Sequence, residues 1–303
     1  MSLWQAVGEQ AAAFTLLLSD AVQRSSGAYL NPLGVGAVVL PQAKKDSPQF
    51  GLYLDAARVD LRYRDEPRWI RLEEIGTIKD QLFSDFADRQ AGLFLERGWA
   101  FVAPPPILHA STGDVVIAGG SFGTLGAEVR WGSGYGILTA GHVAGSIGST
   151  AYTASPAGQA RQIGSVVFSR TAAGAGPRGG ADIGLIELAG TMPIGWAQKK
   201  ATTAQPLDKI EVQRNSGPVP GELKGIWAWL AYPNTNIVFA NTYQTVTAIT
   251  QPGDSGAVAI HTITGEIVGH VVGGTGQVAS YIQEIDYQLR AIAAQAPFAS
   301  ISL

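Results

Sequence analysis

Thr250-Gln251-Pro252-Gly253-Asp254-Ser255-Gly256-Ala257 sets one serine between two glycines, where a backbone can turn sharply and expose a hydroxyl. Alone, such a tetrapeptide is a turn. Two stretches upstream give it a second meaning. Thr139-Ala140-Gly141-His142 follows an apolar run containing Tyr135, Ile137 and Leu138, and Ala181-Asp182-Ile183-Gly184-Leu185-Ile186-Glu187-Leu188 places one acid at the head of an apolar strand. The order is His, Asp, Ser, with 40 residues from His142 to Asp182 and 73 from Asp182 to Ser255. An acid opening an apolar strand is costly to bury without a partner, and a histidine supplies one. A serine hydroxyl, in turn, is a poor nucleophile without such a base.

This order and these contexts resemble the trypsin-like (chymotrypsin-fold) serine proteases of bacterial type, whose motifs read Thr-Ala-Gly-His, Asp-Ile-Ala-Leu and Gly-Asp-Ser-Gly. Other serine hydrolases run Ser, Asp, His or Asp, His, Ser, and their nucleophile elbow needs a glycine where this chain has Ala257. The resemblance covers roughly residues 115 to 300. It implies a mainly β chymotrypsin-like double β-barrel with six strands in each barrel, the site in the cleft between them, and a C-terminal helix. It also implies the roles. Ser255 attacks a scissile carbonyl, His142 takes and returns the proton, and Asp182 fixes the imidazole tautomer. The amides of Gly253 and Ser255 form the oxyanion hole.

The same resemblance bears on activation and specificity. No Ile-Val-Gly-Gly start is present, and Gly119-Gly120-Ser121, the nearest sequence, lacks a basic residue just before it. Bacterial members use an internal arginine instead. Val212-Gln213-Arg214-Asn215-Ser216-Gly217 is similar to the segment that carries it, which implies an Arg214 to Asp254 ion pair holding the Ser255 loop; a solvent-facing Arg214 is the alternative. The pocket residue six places before the serine is Ile249, which offers no anion to a Lys or Arg substrate side chain. Val268-Gly269-His270-Val271-Val272-Gly273-Gly274 resembles the family's Val-Gly-Ile-Val-Ser-Trp-Gly strand, so Val272, Gly273 and Gly274 are expected to bind substrate backbone as an added strand. Val272 and Gly273 replace the family's serine and tryptophan. His270 points away from the pocket in this register and reads as a core or supporting histidine.

Outside the resemblance the chain changes character. Residues 1 to 105 hold 24 charged side chains and 8 glycines, against 21 and 30 in the remaining 198 residues. Pro104-Pro105-Pro106 stiffens the backbone at the change. The expected division is a small α/β domain at 1–103 with a regulatory or recruiting role, a Pro-rich linker at 104–114 and a protease domain at 115–303. Leu3, Val7, Ala11, Phe14, Leu18 and Ala21 recur at helical spacing and predict a helix over 2–24. Alternation predicts short strands between 49 and 72, and a second helix is expected over 78–97. A removable pro-segment is the other reading of 1–105.

In the protease part, strands are expected at 115–118, 124–131, 136–139, 162–168, 183–188, 210–213, 238–240, 257–261 and 266–272, with a helix over 281–295. A net charge of -3 and a pI near 5.8 argue against a nucleic-acid partner. With no cysteine, neither disulfides nor a thiolate metal site can form, which points to a reducing, cytoplasmic setting. The N-terminus carries no basic segment before its apolar stretch and no run is long enough to span a membrane. The resemblance implies a serine endopeptidase of protein or peptide substrates without metal or cofactor, and the cytoplasmic setting leads to the expectation that its N-terminal region contacts a regulatory partner. A catalytically silent scaffold or peptide-binding module of the same fold is the alternative.

Overall fold

The computed structural model describes residues 34–38, 49–55, 68–71, 98–103, 116–118, 121–154, 160–171, 179–190, 200–232 and 237–303. The helices predicted at 2–24 and 78–97 and the Pro-rich linker lie outside the described residues. Four strands come first in the chain: β1 (Gly34–Val38), β2 (Gln49–Asp55), β3 (Arg68–Arg71) and β4 (Trp99–Ala103).

The first sheet of the following region contains β5 (Val116–Ala118), β6 (Ser121–Gly123), β7 (Glu128–Trp131), β8 (Gly134–Thr139), β9 (Thr150–Ala154), β10 (Ala160–Arg170) and β11 (Ile183–Leu188). Its order is β6-β5-β9-β10-β11-β8-β7, so the short β5–β6 hairpin brings it to seven strands. A short helix, α1 (Gly141–Ala144), follows β8. Period-two alternation sends neighbouring side chains to different cores. Ile137 and Ile186 enter one inside this sheet, whereas Leu138, Ile183 and Leu185 enter another shared with the second sheet. That double burial explains why β11 reads as a nearly continuous apolar run.

The second sheet holds β12 (Lys209–Arg214), β13 (Gly217–Tyr232), β14 (Ile237–Thr245), β15 (Val258–His261), β16 (Ile267–Thr275) and β17 (Ala279–Glu284). These run in the order β12-β15-β16-β17-β14-β13, and a β12–β13 pairing closes them into a six-stranded barrel. Asn215 and Ser216 form the two-residue turn of the β12–β13 hairpin. Ile210, Val212, Leu223, Tyr243, Val268, Val271 and Ile282 fill the interior.

Beyond residue 222 the 16-residue β13 leaves β12 and pairs instead with β1. Through that edge β1, β2, β4 and β3 continue the second sheet. The junction has its own core, in which Val38, Tyr53, Phe101 and Ala103 pack with Trp227, Leu230, Phe239, Val272 and Tyr281. The Trp69 and Trp227 rings stack 6.3 Å apart, and Tyr53 is hydrogen-bonded to Thr275 Oγ1 at 3.0 Å.

Two sequence expectations need correction. The stretch 281–284 is the end of β17, and helix α2 (Ile285–Ala293) begins only after it. Tyr281, Ile282 and Gln283 pair with Gln244, Tyr243 and Thr242 of β14, and this non-local pairing overrides a helical spacing that the same residues also satisfy. Of the stretch 124–131 only Glu128–Trp131 is strand. In the preceding four residues the Thr124 amide donates to the Ser255 carbonyl and the Ala127 amide to His270 Nε2, while the Gly126 amide and the Ala127 carbonyl still bond Leu138 of β8 without a regular ladder. Among the described residues no helix is long and apolar enough to cross a membrane.

Candidate active site

Each of the three motif residues is set by a different element. β8 ends at Thr139, and α1 carries His142 in its single turn. Gly141 must be glycine for reasons of space. A Cβ there would lie 2.2 Å from the Arg170 carbonyl and 2.9 Å from Asp182 Oδ1. Asp182 is the residue just before β11, and Ser255 lies in the turn before β15.

The fold brings them together. His142 Nδ1 is 2.6 Å from Asp182 Oδ2, and the His142 backbone N–H donates to Asp182 Oδ1 at 2.9 Å. Because a carboxylate only accepts, Nδ1 carries the proton and Nε2 is left as the acceptor. That nitrogen stands 3.0 Å from Ser255 Oγ. The Asp182 carboxylate is fully buried and both of its oxygens are engaged by His142. Such an arrangement can relay a serine proton to an imidazole and stabilise the imidazolium that results.

The turn around Ser255 is braced from the other sheet. Thr124 donates its amide to the Ser255 carbonyl at 2.8 Å and its hydroxyl to the Gly253 carbonyl at 2.8 Å. Gly253 and Gly256 take φ of +100° and +93°, a region open chiefly to glycine. Arg214 Nε lies 2.7 Å from Asp254 Oδ2, with both side chains largely buried. Burial raises the Asp254 carboxyl above its ordinary value, opposed by the Gln251 amide and by Arg214.

Ile249 is inside the second barrel, next to Gly221 and in the same core as Val212 and Leu223. Val272, Gly273 and Gly274 lie in β16, where Gly273 pairs with Tyr281 and Gly274 with Ser280 of β17. Every residue of β16 is buried, and Ser255 itself is 0% exposed. Among the described residues there is no cluster of His, Cys, Asp or Glu that could hold a metal ion.

Sequence reading passed over Gln283 and Gln288. Both are fully buried beside Asp182, and Gln283 Oε1 accepts the Asp182 amide at 2.8 Å. A signal was present in the helix, where Ile285, Gln288 and Ile292 form the buried face of α2 and a glutamine interrupts an otherwise apolar stripe.

A closed six-stranded antiparallel barrel, a second antiparallel sheet, a C-terminal helix and a His–Asp–Ser group at the seam define the chymotrypsin-like serine protease fold. Solved structures similar to this chain include bacterial proteases. The Nocardiopsis protease is 19% identical, with a TM-score of 0.46 over 59% of this chain and 94% of its own. The chymotrypsin of Cellulomonas bogoriensis is 18% identical, with a TM-score of 0.45 over 63% and 96%. Thermobifida fusca protease A is 20% identical, with a TM-score of 0.44 over 63% and 96%. No protein-family model and no curated protein matches the chain.

Proposed function

We propose that the chain is a serine endopeptidase acting on protein or peptide substrates, with Ser255 as nucleophile, His142 as general base and acid, and Asp182 as the group that orients the imidazole. The observation that carries this reading is the continuous contact from Ser255 Oγ through His142 to Asp182, at 3.0 Å and 2.6 Å. Ser255 Oγ attacks the scissile carbonyl as its proton passes to His142 Nε2. The amides of Gly253 and Ser255 receive the developing oxyanion, each worth about 3–4 kcal/mol where comparable donors have been removed. His142 then protonates the leaving amine, and water repeats the sequence on the acyl-enzyme. Gly273 and Gly274 pair with the substrate backbone, and Ile249 favours an uncharged P1 side chain.

Access is gated in this reading. A nucleophile with 0% exposure and a wholly buried β16 support a resting state that opens to admit substrate. The strands of residues 34–103 share a core with Val272, which gives the N-terminal region, or a partner protein bound to it, a route to the site. The absence of cysteine supports a reducing, cytoplasmic setting. The same burial favours a second reading, in which the fold is kept as a catalytically silent scaffold. Labelling the full-length chain with a fluorophosphonate probe beside Ser255→Ala separates them. Labelling lost in Ser255→Ala supports the peptidase, and a folded wild type that never labels, with or without peptide substrates, overturns it.

A further inference from the structure

Asp182 stands outside the β-ladder, since the pairing of β11 with β10 starts at Ile183 and with β8 at Gly184. Its backbone N–H and C=O are nevertheless buried and need partners. Two glutamines meet that need. Gln283 Oε1 accepts the Asp182 N–H at 2.8 Å, and Gln288 Nε2 donates to the Asp182 carbonyl at 3.2 Å and to Gln283 Oε1 at 3.2 Å. Gln283 Nε2 donates to the carbonyls of Gly180 at 2.9 Å and Ala240 at 2.8 Å. One amide thus ties the loop that carries Asp182 to β14 of the other barrel.

The direction of every bond is dictated from one end. His270 Nε2 accepts the Ala127 N–H at 3.1 Å, so its Nδ1 must be the protonated nitrogen, and it donates to Gln288 Oε1 at 2.8 Å. Gln288 then has only its NH2 to offer Asp182 and Gln283, and Gln283 must present its oxygen to the Asp182 amide. Flipping either amide would set donor against donor. Burial pushes the His270 imidazole down to about 4, in keeping with a neutral ring. Space is reserved for it as well, because a Cβ on Gly126 would lie 2.4 Å from His270 Nε2.

We infer that Gln283 and Gln288, oriented by His270, are positioning residues for the catalytic group: they hold Asp182 by its backbone so that its carboxylate meets His142 Nδ1. The inference rests on the peptidase reading for its kinetic consequence but not for its geometry. Neutral amides suit the task, because they satisfy the backbone without placing a second charge beside the Asp182 carboxylate.

The test compares Gln283→Met and Gln288→Met, which keep length but lose the hydrogen bonds, with Gln244→Met. Gln244 is a buried glutamine whose Oε1 accepts the Trp227 indole N–H at 2.9 Å, and its loss should cost stability alone. Two readouts are taken on full-length protein: the rate of fluorophosphonate inactivation, with kcat and KM where a peptide is cleaved, and the NMR resonance of the His142 Nδ1 proton. Gln283→Met and Gln288→Met should lower kcat or the inactivation rate by about 10- to 100-fold with little change in KM, and should shift or broaden the proton resonance. If both variants lose stability as Gln244→Met does yet keep the wild-type rate and resonance, the inference is overturned. Should wild type neither label nor cleave, the peptidase reading fails while the resonance still decides the positioning. Should Gln283→Met not fold, Gln288→Met carries the comparison, since it leaves the Gln283 to Asp182 bond in place.

Discussion

Replacing Asp182 by asparagine isolates the carboxylate from the fold that holds it. Both backbone bonds of residue 182, to Gln283 and from Gln288, survive the change. The new side-chain amide can keep its oxygen on the His142 N–H, where Oδ1 now sits at 2.9 Å. Its NH2 then faces His142 Nδ1 across the 2.6 Å contact. Two donors cannot share that line, so the imidazole moves its proton to Nε2 and loses the acceptor that Ser255 needs. Wild type favours the productive tautomer through one charge-assisted hydrogen bond of about 1.5–3 kcal/mol. The variant favours the other tautomer through a new neutral bond of about 0.5–1.5 kcal/mol, for a swing of about 2–4.5 kcal/mol. At 1.36 kcal/mol per factor of ten, the rate should fall by roughly 1.5 to three powers of ten. Where a triad aspartate has been replaced in this way in another serine protease, kcat falls about 10⁴-fold, somewhat beyond this range. The assay is the second-order rate of fluorophosphonate inactivation, with thermal unfolding in parallel. A folded Asp182→Asn protein that reacts within a factor of about three of wild type, while Ser255→Ala stays silent, would refute the triad assignment.

Gly253→Val should abolish inactivation even where folding survives, because a β-branched residue resists the φ of +100° that Gly253 adopts. A folded, fully reactive variant would count against the oxyanion role. Arg214→Met leaves the Asp254 carboxylate buried without its cation, and breaking such a pair costs about 3–5 kcal/mol. Asp254 is already raised by burial, so this group stabilises the fold least once pH has passed above its folded pKa. Removing Arg214 raises that pKa further. The denaturant midpoints of variant and wild type should therefore be close near about pH 4 and separate as pH rises, and a gap independent of pH would exclude the pair as its source. Tyr53→Phe deletes the bond to Thr275 Oγ1 at the end of β16. It should cost about 0.5–1.5 kcal/mol in urea unfolding and raise KM more than it lowers kcat, and an unchanged KM would argue against coupling of the N-terminal strands to the strand proposed to bind substrate.

Much of the site was legible in one dimension because its determinants are local. Gly253-Asp254-Ser255-Gly256 is turn chemistry, and both glycines do take positive φ. Asp182 heads an apolar strand whose bounds, Ile183–Leu188, match the pattern read from the residues. Gly141 stands where only a glycine can pass between Arg170 and Asp182. What lay outside reach was non-local. By spacing alone Gln283 fits one turn of a helix, but β14 and β16 claim its backbone on either side, and neither its side chain nor that of Gln288 forms a motif with Asp182 along the chain.

The sequence by itself therefore determined the chemical identities: a histidine, an acid and a serine in a set order, each with its own local turn or strand. Tertiary structure alone decided how these groups are held and reached. It joined β1 to β13 across roughly 190 residues, tied Asp182 to the second barrel through two buried amides, and covered Ser255. The physical reason is the range of the forces involved. Turn preferences and hydrophobic alternation act over a few neighbouring residues, whereas strand pairing and buried hydrogen bonds choose partners only when the chain has folded back upon itself.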